Sequence, residues 1–119
     1  MPLYVDGFVV PVPKKKLEQY LRIARKGGRI WREHGALEYR ECVGDDLKSG
    51  AITFLKLART KPGETVFFSW IVYKSRAHRD RVMAKVMKDP RLAEMMDPKS
   101  MPFDFKRMAY GGFKVAVDM

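Results

Sequence analysis

The sequence is poor in the residues that carry most recognisable chemistry: among its 119 residues it has a single cysteine, Cys42, and two histidines, His34 and His78. One thiol cannot build an internal disulfide framework and suits a reducing compartment, so the cytoplasm is the expected location. No C-x-x-C or H-x-x-x-H spacing occurs. That leaves no signature for a metal site, neither histidine lies on a strand pattern that would aim it at a haem, and no cofactor is expected. Long apolar runs are missing too. Nothing approaches a membrane span, and the start Met1-Pro2-Leu3-Tyr4-Val5-Asp6 lacks the basic region and apolar core of a secretion signal. The paired glycines are wrongly placed for a phosphate loop. Gly27-Gly28 lies within a helical pattern and Gly111-Gly112 within a strand pattern, whereas the mechanism needs a glycine turn leading into a helix.

What is present is apolar material and positive charge. Hydrophobic residues make up 46% and aromatics 12%, enough to offset the entropy of folding at a length usual for one domain, expected to span residues 1–119. The 24 Lys and Arg outnumber the 14 Asp and Glu, for a net charge of +10. Such an excess attracts anions without selectivity. It also serves solubility, and the helical run Lys74, Arg76, Arg79, Arg81, Lys85, Lys88 reads first as a solvated face.

The periodicity changes several times along the chain. Leu3 to Val10 alternates as a strand and is expected to stop at Pro11-Val12-Pro13. From Lys14 to His34, the spacing of Leu17, Tyr20, Leu21, Ala24, Gly27, Gly28 and Trp31 predicts a helix with one apolar stripe, ended at Gly35. Leu37 to Val43 reads as a strand with Leu37, Tyr39, Glu41 and Val43 on one face and Glu38, Arg40 and Cys42 on the other. In the 44–65 segment, turn residues flank Ile52 to Ala58, which fits a short strand or one helical turn. Val66 to Tyr73 is the strongest strand. Ser75 caps a helix to about Lys88 with Val82, Met83, Val86 and Met87 inward, and Asp89-Pro90 starts a short one through Met96. A last strand covers Lys106 to Val117, with a bulge expected at Gly111-Gly112. The order β-α-β-β-α-β is the α+β, ferredoxin-like arrangement: a four-stranded antiparallel sheet with helices on one face.

The other face then needs a cover. If Leu3, Val5 and Val9 meet the helices, Tyr4, Asp6, Phe8 and Val10 lie on the open face. The third strand is apolar in both phases, Phe67-Ile71-Tyr73 and Phe68-Trp70-Val72, which belongs to a sheet covered on both sides. A second copy of the same face is the simplest cover, so a homodimer is expected. Asp6, Glu38, Arg40 and Cys42, with Phe8, Phe68 and Trp70, would set a few polar groups among aromatics, as a ligand pocket does. An ion-pair network between subunits would look the same. Arg107, with Met101 and Phe103, would either fill the barrel mouth or plug the core. His34 suits a helix C-terminus, His78 a structural role, and Cys42 a small buried apolar group.

Five blocks carry a resemblance: Tyr4-Val5-Asp6-Gly7-Phe8, Glu33-His34-Gly35-Ala36-Leu37-Glu38-Tyr39-Arg40-Glu41-Cys42, Phe68-Ser69-Trp70-Ile71-Val72-Tyr73-Lys74-Ser75-Arg76-Ala77-His78-Arg79-Asp80, Met96-Asp97-Pro98-Lys99-Ser100-Met101-Pro102-Phe103-Asp104 and Lys106-Arg107-Met108. In them the chain resembles the YbaA-like family of uncharacterised bacterial proteins. The resemblance implies the dimeric α/β-barrel superfamily, in which two ferredoxin-like subunits close their sheets into a barrel, and it brings no activity. The first reading is therefore a dimer binding a small apolar or aromatic molecule in the barrel. The alternative is a cofactor-independent monooxygenase-like or isomerase-like enzyme using Asp6 and Trp70, by analogy of fold. A third is RNA binding, since Leu3 to Phe8 and Phe68 to Tyr73 echo the RNA-recognition hexamer and octamer. Val66-Phe67 replaces the basic start of that octamer, which weighs against nucleic acid.

Overall fold

The switches of period become elements in the expected order, with shifted boundaries. In the computed structural model, which describes residues 2–119, the chain runs β1 (Tyr4–Pro13), a 3-10 turn (Lys14–Lys16), α1 (Leu17–Glu33), β2 (Glu38–Val43), α2 (Phe54–Leu57), β3 (Glu64–Tyr73), α3 (Arg76–Met87), α4 (Pro90–Met95), a second 3-10 turn (Phe105–Arg107) and β4 (Ala109–Lys114). The sheet order is β2-β3-β1-β4, antiparallel throughout, which is the ferredoxin-like topology. Among the described residues no helix is long and apolar enough to cross a membrane.

The prolines do not end β1, which continues through Pro11 to Pro13 opposite β3. Pro11 lies opposite Val66, whose carbonyl accepts from Gly44 on the β2 side. Ladder hydrogen bonds alternate in direction, so the Pro11 nitrogen faces away from β3 toward β4. There β4 pairing has ended at Val9 and Ala109, and no donor is missed. The expected bulge in the last strand is also absent, since its register runs unbroken from Val9–Ala109 to Tyr4–Lys114. Gly112 instead makes room: a Cβ there would collide with the Tyr4 ring.

Register sets the phase of β1, opposite to expectation. Tyr4, Asp6, Phe8 and Val10 share a face with Tyr73, Ile71, Ser69 and Phe67, and this is the face that α1, α3 and α4 cover. One cluster gathers Tyr4, Ile30, Ala36, Ile71, Tyr73, Val82, Val86 and Leu92; a second gathers Val10, Val12, Tyr20, Ala24 and Phe67. Each large apolar side chain buried here contributes about 1.5–3 kcal/mol against conformational entropy. Gly27 and Gly28 allow close approach to the sheet, a Cβ on Gly28 falling 2.9 Å from Tyr39 Cδ1. In α3, Val82 and Val86 are buried one turn apart, while Met87, expected inward, is 58% exposed.

Residues 54–57 settle as one helical turn, with the Thr53 hydroxyl accepting from the Lys56 N–H. This turn lies over the opposite face, where Phe54 meets Phe68 edge to face at 5.8 Å.

Arg107 is engaged in an ion pair within the subunit. Its Nη1 and Nη2 each donate to Glu64 at 2.7 Å, a bidentate pair tying the second 3-10 turn to the start of β3. Its guanidinium holds the Glu64 carboxyl down at about 2, against an ordinary value of 4.5. A depressed native pKa stabilises the fold above the ordinary value and loses that contribution as pH falls toward the native one. Urea midpoints should therefore drop between about pH 4.5 and 2, with a shallower drop in Glu64→Gln. Equal pH slopes in the two proteins would refute this.

Candidate functional site

The bare face collects Val5, Gly7 and Val9 of β1, Phe68, Trp70 and Val72 of β3, Glu38, Arg40 and Cys42 of β2, and Gly111 and Phe113 of β4. Of the expected site residues, Glu38, Arg40, Cys42, Phe68 and Trp70 come together here. Asp6 and Phe8 do not, because the phase of β1 is reversed, and Arg107 is engaged elsewhere. Phe68 is 45% and Phe113 62% exposed, and Phe68 contacts Trp70 edge to face at 5.8 Å. Glu38 and Arg40 pair at 3.3 Å in solvent, a contact of little energetic worth. Between Phe68, Trp70 and Phe113 lies a shallow concavity of about 480 Å³.

A narrower hollow lies on the other side of the sheet, beneath α1. It holds about 150 Å³ and is walled by Phe8, Tyr20, Ile23, Trp31, Ile71, Met95, Met101, Phe103 and Met108. At one side Glu41 projects among hydroxyls. Tyr20 Oη donates to Glu41 Oε1 at 2.8 Å, Ser69 Oγ donates to the same oxygen, and Tyr39 Oη donates to Oε2 at 3.2 Å. Burial, and after it the Glu41 carboxylate, raise the Tyr20 and Tyr39 hydroxyls above their ordinary range, so both remain donors. A carboxylate offers about four lone-pair directions, and three are taken. One direction, on Oε2, is left for a ligand donor.

Glu41, Tyr20, Ser69 and Tyr39 were not singled out from the sequence, although a signal existed. Glu41 is an acid in the otherwise apolar phase Leu37, Tyr39, Val43, and Tyr20 sits on the buried stripe of α1.

Asp6 forms a separate cluster beneath α3. Arg79 Nη1 donates to Asp6 Oδ1 at 2.6 Å while the guanidinium lies 4.9 Å from the centre of the Tyr4 ring. Burial raises the Asp6 carboxyl above its ordinary value, and Arg79 opposes that rise without cancelling it. Among the described residues the buried Tyr73 Oη and Trp31 Nε1 have no hydrogen-bond partner. His34 Nε2 lies 2.8 Å from Asp89 Oδ2, linking the end of α1 to the cap of α4. His78 Nδ1 accepts from the Lys74 N–H at 2.9 Å, and burial with the nearby Lys74, Arg81 and Lys85 charges lowers its pKa. Among the described residues no three His, Cys, Asp or Glu are grouped to hold a metal ion.

The chain matches, over residues 3–105, a family described as protein of unknown function (DUF1428). It is 45% identical over 116 residues, 97% of each chain, to the uncharacterized protein YbaA of Escherichia coli K12, and equally to that of Shigella flexneri. Among solved structures it resembles a dimeric ferredoxin-like protein from an uncultured marine organism, with TM-score 0.64 at 11% identity over 100% of both chains. It also resembles an uncharacterized NIPSNAP domain protein from Burkholderia xenovorans, with TM-score 0.60 at 16% identity over 92% of this chain and 91% of that one. At these identities the structural likeness is one of fold.

Proposed function

The chain belongs to the DUF1428 family of proteins of unknown function, and from its geometry we propose a homodimer that binds a small apolar or aromatic molecule in the hollow under α1. The observation that carries the reading is the hollow itself: a cavity able to hold one aromatic ring, apolar nearly throughout, with one carboxylate oxygen unsaturated at its side. The ligand lies on the helix side of the sheet rather than in the barrel interior. The bare face serves the dimer. Its aromatics suit a sheet-on-sheet interface that would close the two subunits into a barrel, and the dimeric ferredoxin-like neighbour supports that assembly.

Binding is favoured over chemistry because the acid at the hollow acts as a hydrogen-bond acceptor. Glu41 takes three hydroxyl donors and keeps one acceptor direction for a ligand, while Asp6 is paired with Arg79 beneath α3. Covering Phe68 and Trp70 in the dimer also removes the stacking platform an RNA reader would need.

p-Cresol, one ring with one hydroxyl, is the probe. Saturation-transfer NMR should show saturable binding to the wild type, about tenfold weaker binding to Glu41→Gln, and none to Ile23→Trp, in which the indole closes the hollow. Equal signals from all three proteins, each folded by circular dichroism, would overturn the reading.

A further inference from the structure

Beside the hollow, on the outer edge of the sheet, runs a second and larger cleft of about 670 Å³ between α1 and β2. Arg25, Arg29 and Arg32 line it from α1, four and three residues apart and so on one helix face. Like charges at that spacing repel, no acid of α1 lies between them, and the acids that β2 adds to the cleft are engaged, Glu38 with Arg40 and Glu41 with three hydroxyls. Arg32 is occupied, since its Nη1 donates to the carbonyls of Ala36 and Leu37. Among the described residues Arg25 and Arg29 have neither a hydrogen-bond acceptor nor an ion-pair partner. The cleft and the hollow share a wall made by Ala24, Tyr39, Arg40 and Glu41.

Resting on the reading of the hollow as a ligand site, we infer that its ligand is an amphipathic anion: a ring or short apolar body in the hollow and a carboxylate or phosphate in the arginine cleft. Size supports this. A hollow of about 150 Å³ takes one ring, whereas ligand sites usually run to about 300–1,000 Å³, so the rest of a metabolite-sized molecule must lie outside it. Charge supports it as well. The apolar body cannot satisfy Arg25 and Arg29, and an anion beside two unpaired guanidiniums gains charge-assisted hydrogen bonds with matching planar geometry. The ring's own donor meets the open direction on Glu41 Oε2, in the wall that the hollow and the cleft share. A neutral apolar ligand would leave the cleft unused.

The test compares 4-hydroxyphenylacetate, its uncharged amide and p-tolyl phosphate by titration calorimetry at low salt. The wild type should bind one or both anions about tenfold more tightly than the amide. The stronger of the two identifies carboxylate or phosphate as the natural end group. In the double variant Arg25→Gln, Arg29→Gln the anions should fall to the affinity of the amide, with amide binding unchanged. Equal binding of anions and amide by the wild type, or an anion preference that survives in the double variant, overturns the inference and leaves the hollow standing. Failure of all three probes to bind the wild type overturns both.

Discussion

Phe68→Asp is expected to turn the proposed dimer into a folded monomer. Phe68 is 45% exposed in the isolated subunit and stands between Phe54 and Trp70 on the bare face, so a carboxylate there is tolerated by one chain alone. Twofold symmetry brings two such carboxylates into one apolar interface. An unpaired buried charge costs about 3–5 kcal/mol, and even the lower figure, paid twice, weakens association by about 10⁴-fold. An interface of this type buries on the order of 2,000 Å² or more, and micromolar wild-type protein should run as a dimer. Light scattering on both proteins, with circular dichroism to check folding, reads the outcome. A wild type that scatters as a monomer removes the dimer, and a dimeric variant removes the bare face as its seat.

The second large effect is internal. Arg79→Met should destabilise the subunit by about 3–5 kcal/mol near neutral pH, because Asp6, 6% exposed, loses its only cationic partner among the described residues and remains under α3. The loss should shrink in acid. Burial already raises the Asp6 carboxyl above 3.8, and without Arg79 the rise is larger. A group whose native pKa is raised binds its proton more tightly when folded, so its contribution is most favourable at low pH and is lost as pH rises through the native value. Urea midpoints at pH 7 and pH 4.5 should differ far less between variant and wild type at the lower pH. The double change Asp6→Asn, Arg79→Met should recover part of the loss at pH 7. A deficit equal at both pH values would exclude this account.

These same residues show what periodicity can and cannot deliver. Element order was legible because the switch from period two to period 3.6 after Pro13, and back again at Leu37, survives without knowledge of the fold. The phase of β2 was legible too, since Glu38 and Arg40 alternate with Leu37 and Tyr39. The phase of β1 was not. Tyr4, Asp6, Phe8 and Val10 carry an acid, and an acid argues for the open side; the guanidinium that neutralises it stands 73 positions along the chain. Glu41 was passed over for a related reason. Its three hydroxyl partners come from α1, β2 and β3, and only the folded sheet assembles them. The glycines of β4 are ambiguous because lost pleating and an overlying ring both call for glycine, and only the Tyr4 ring, reaching over Gly112 from the neighbouring strand, decides between them.

The prolines of β1 have an effect beyond the ladder they occupy. From Val10 onward β1 has no β4 partner, and an unpaired apolar strand is the sort of template onto which a stray extended chain can add; Val10, Pro11 and Val12 are buried in the folded chain, so that hazard belongs to the time before it has packed. Pro11 and Pro13 strip that edge of its amide donors, leaving carbonyls with no matching N–H groups between them. Until Phe103 and Met108, made late in the chain, pack against the cluster of Val10 and Val12, the prolines thereby keep this stretch of β1 from recruiting other copies during synthesis.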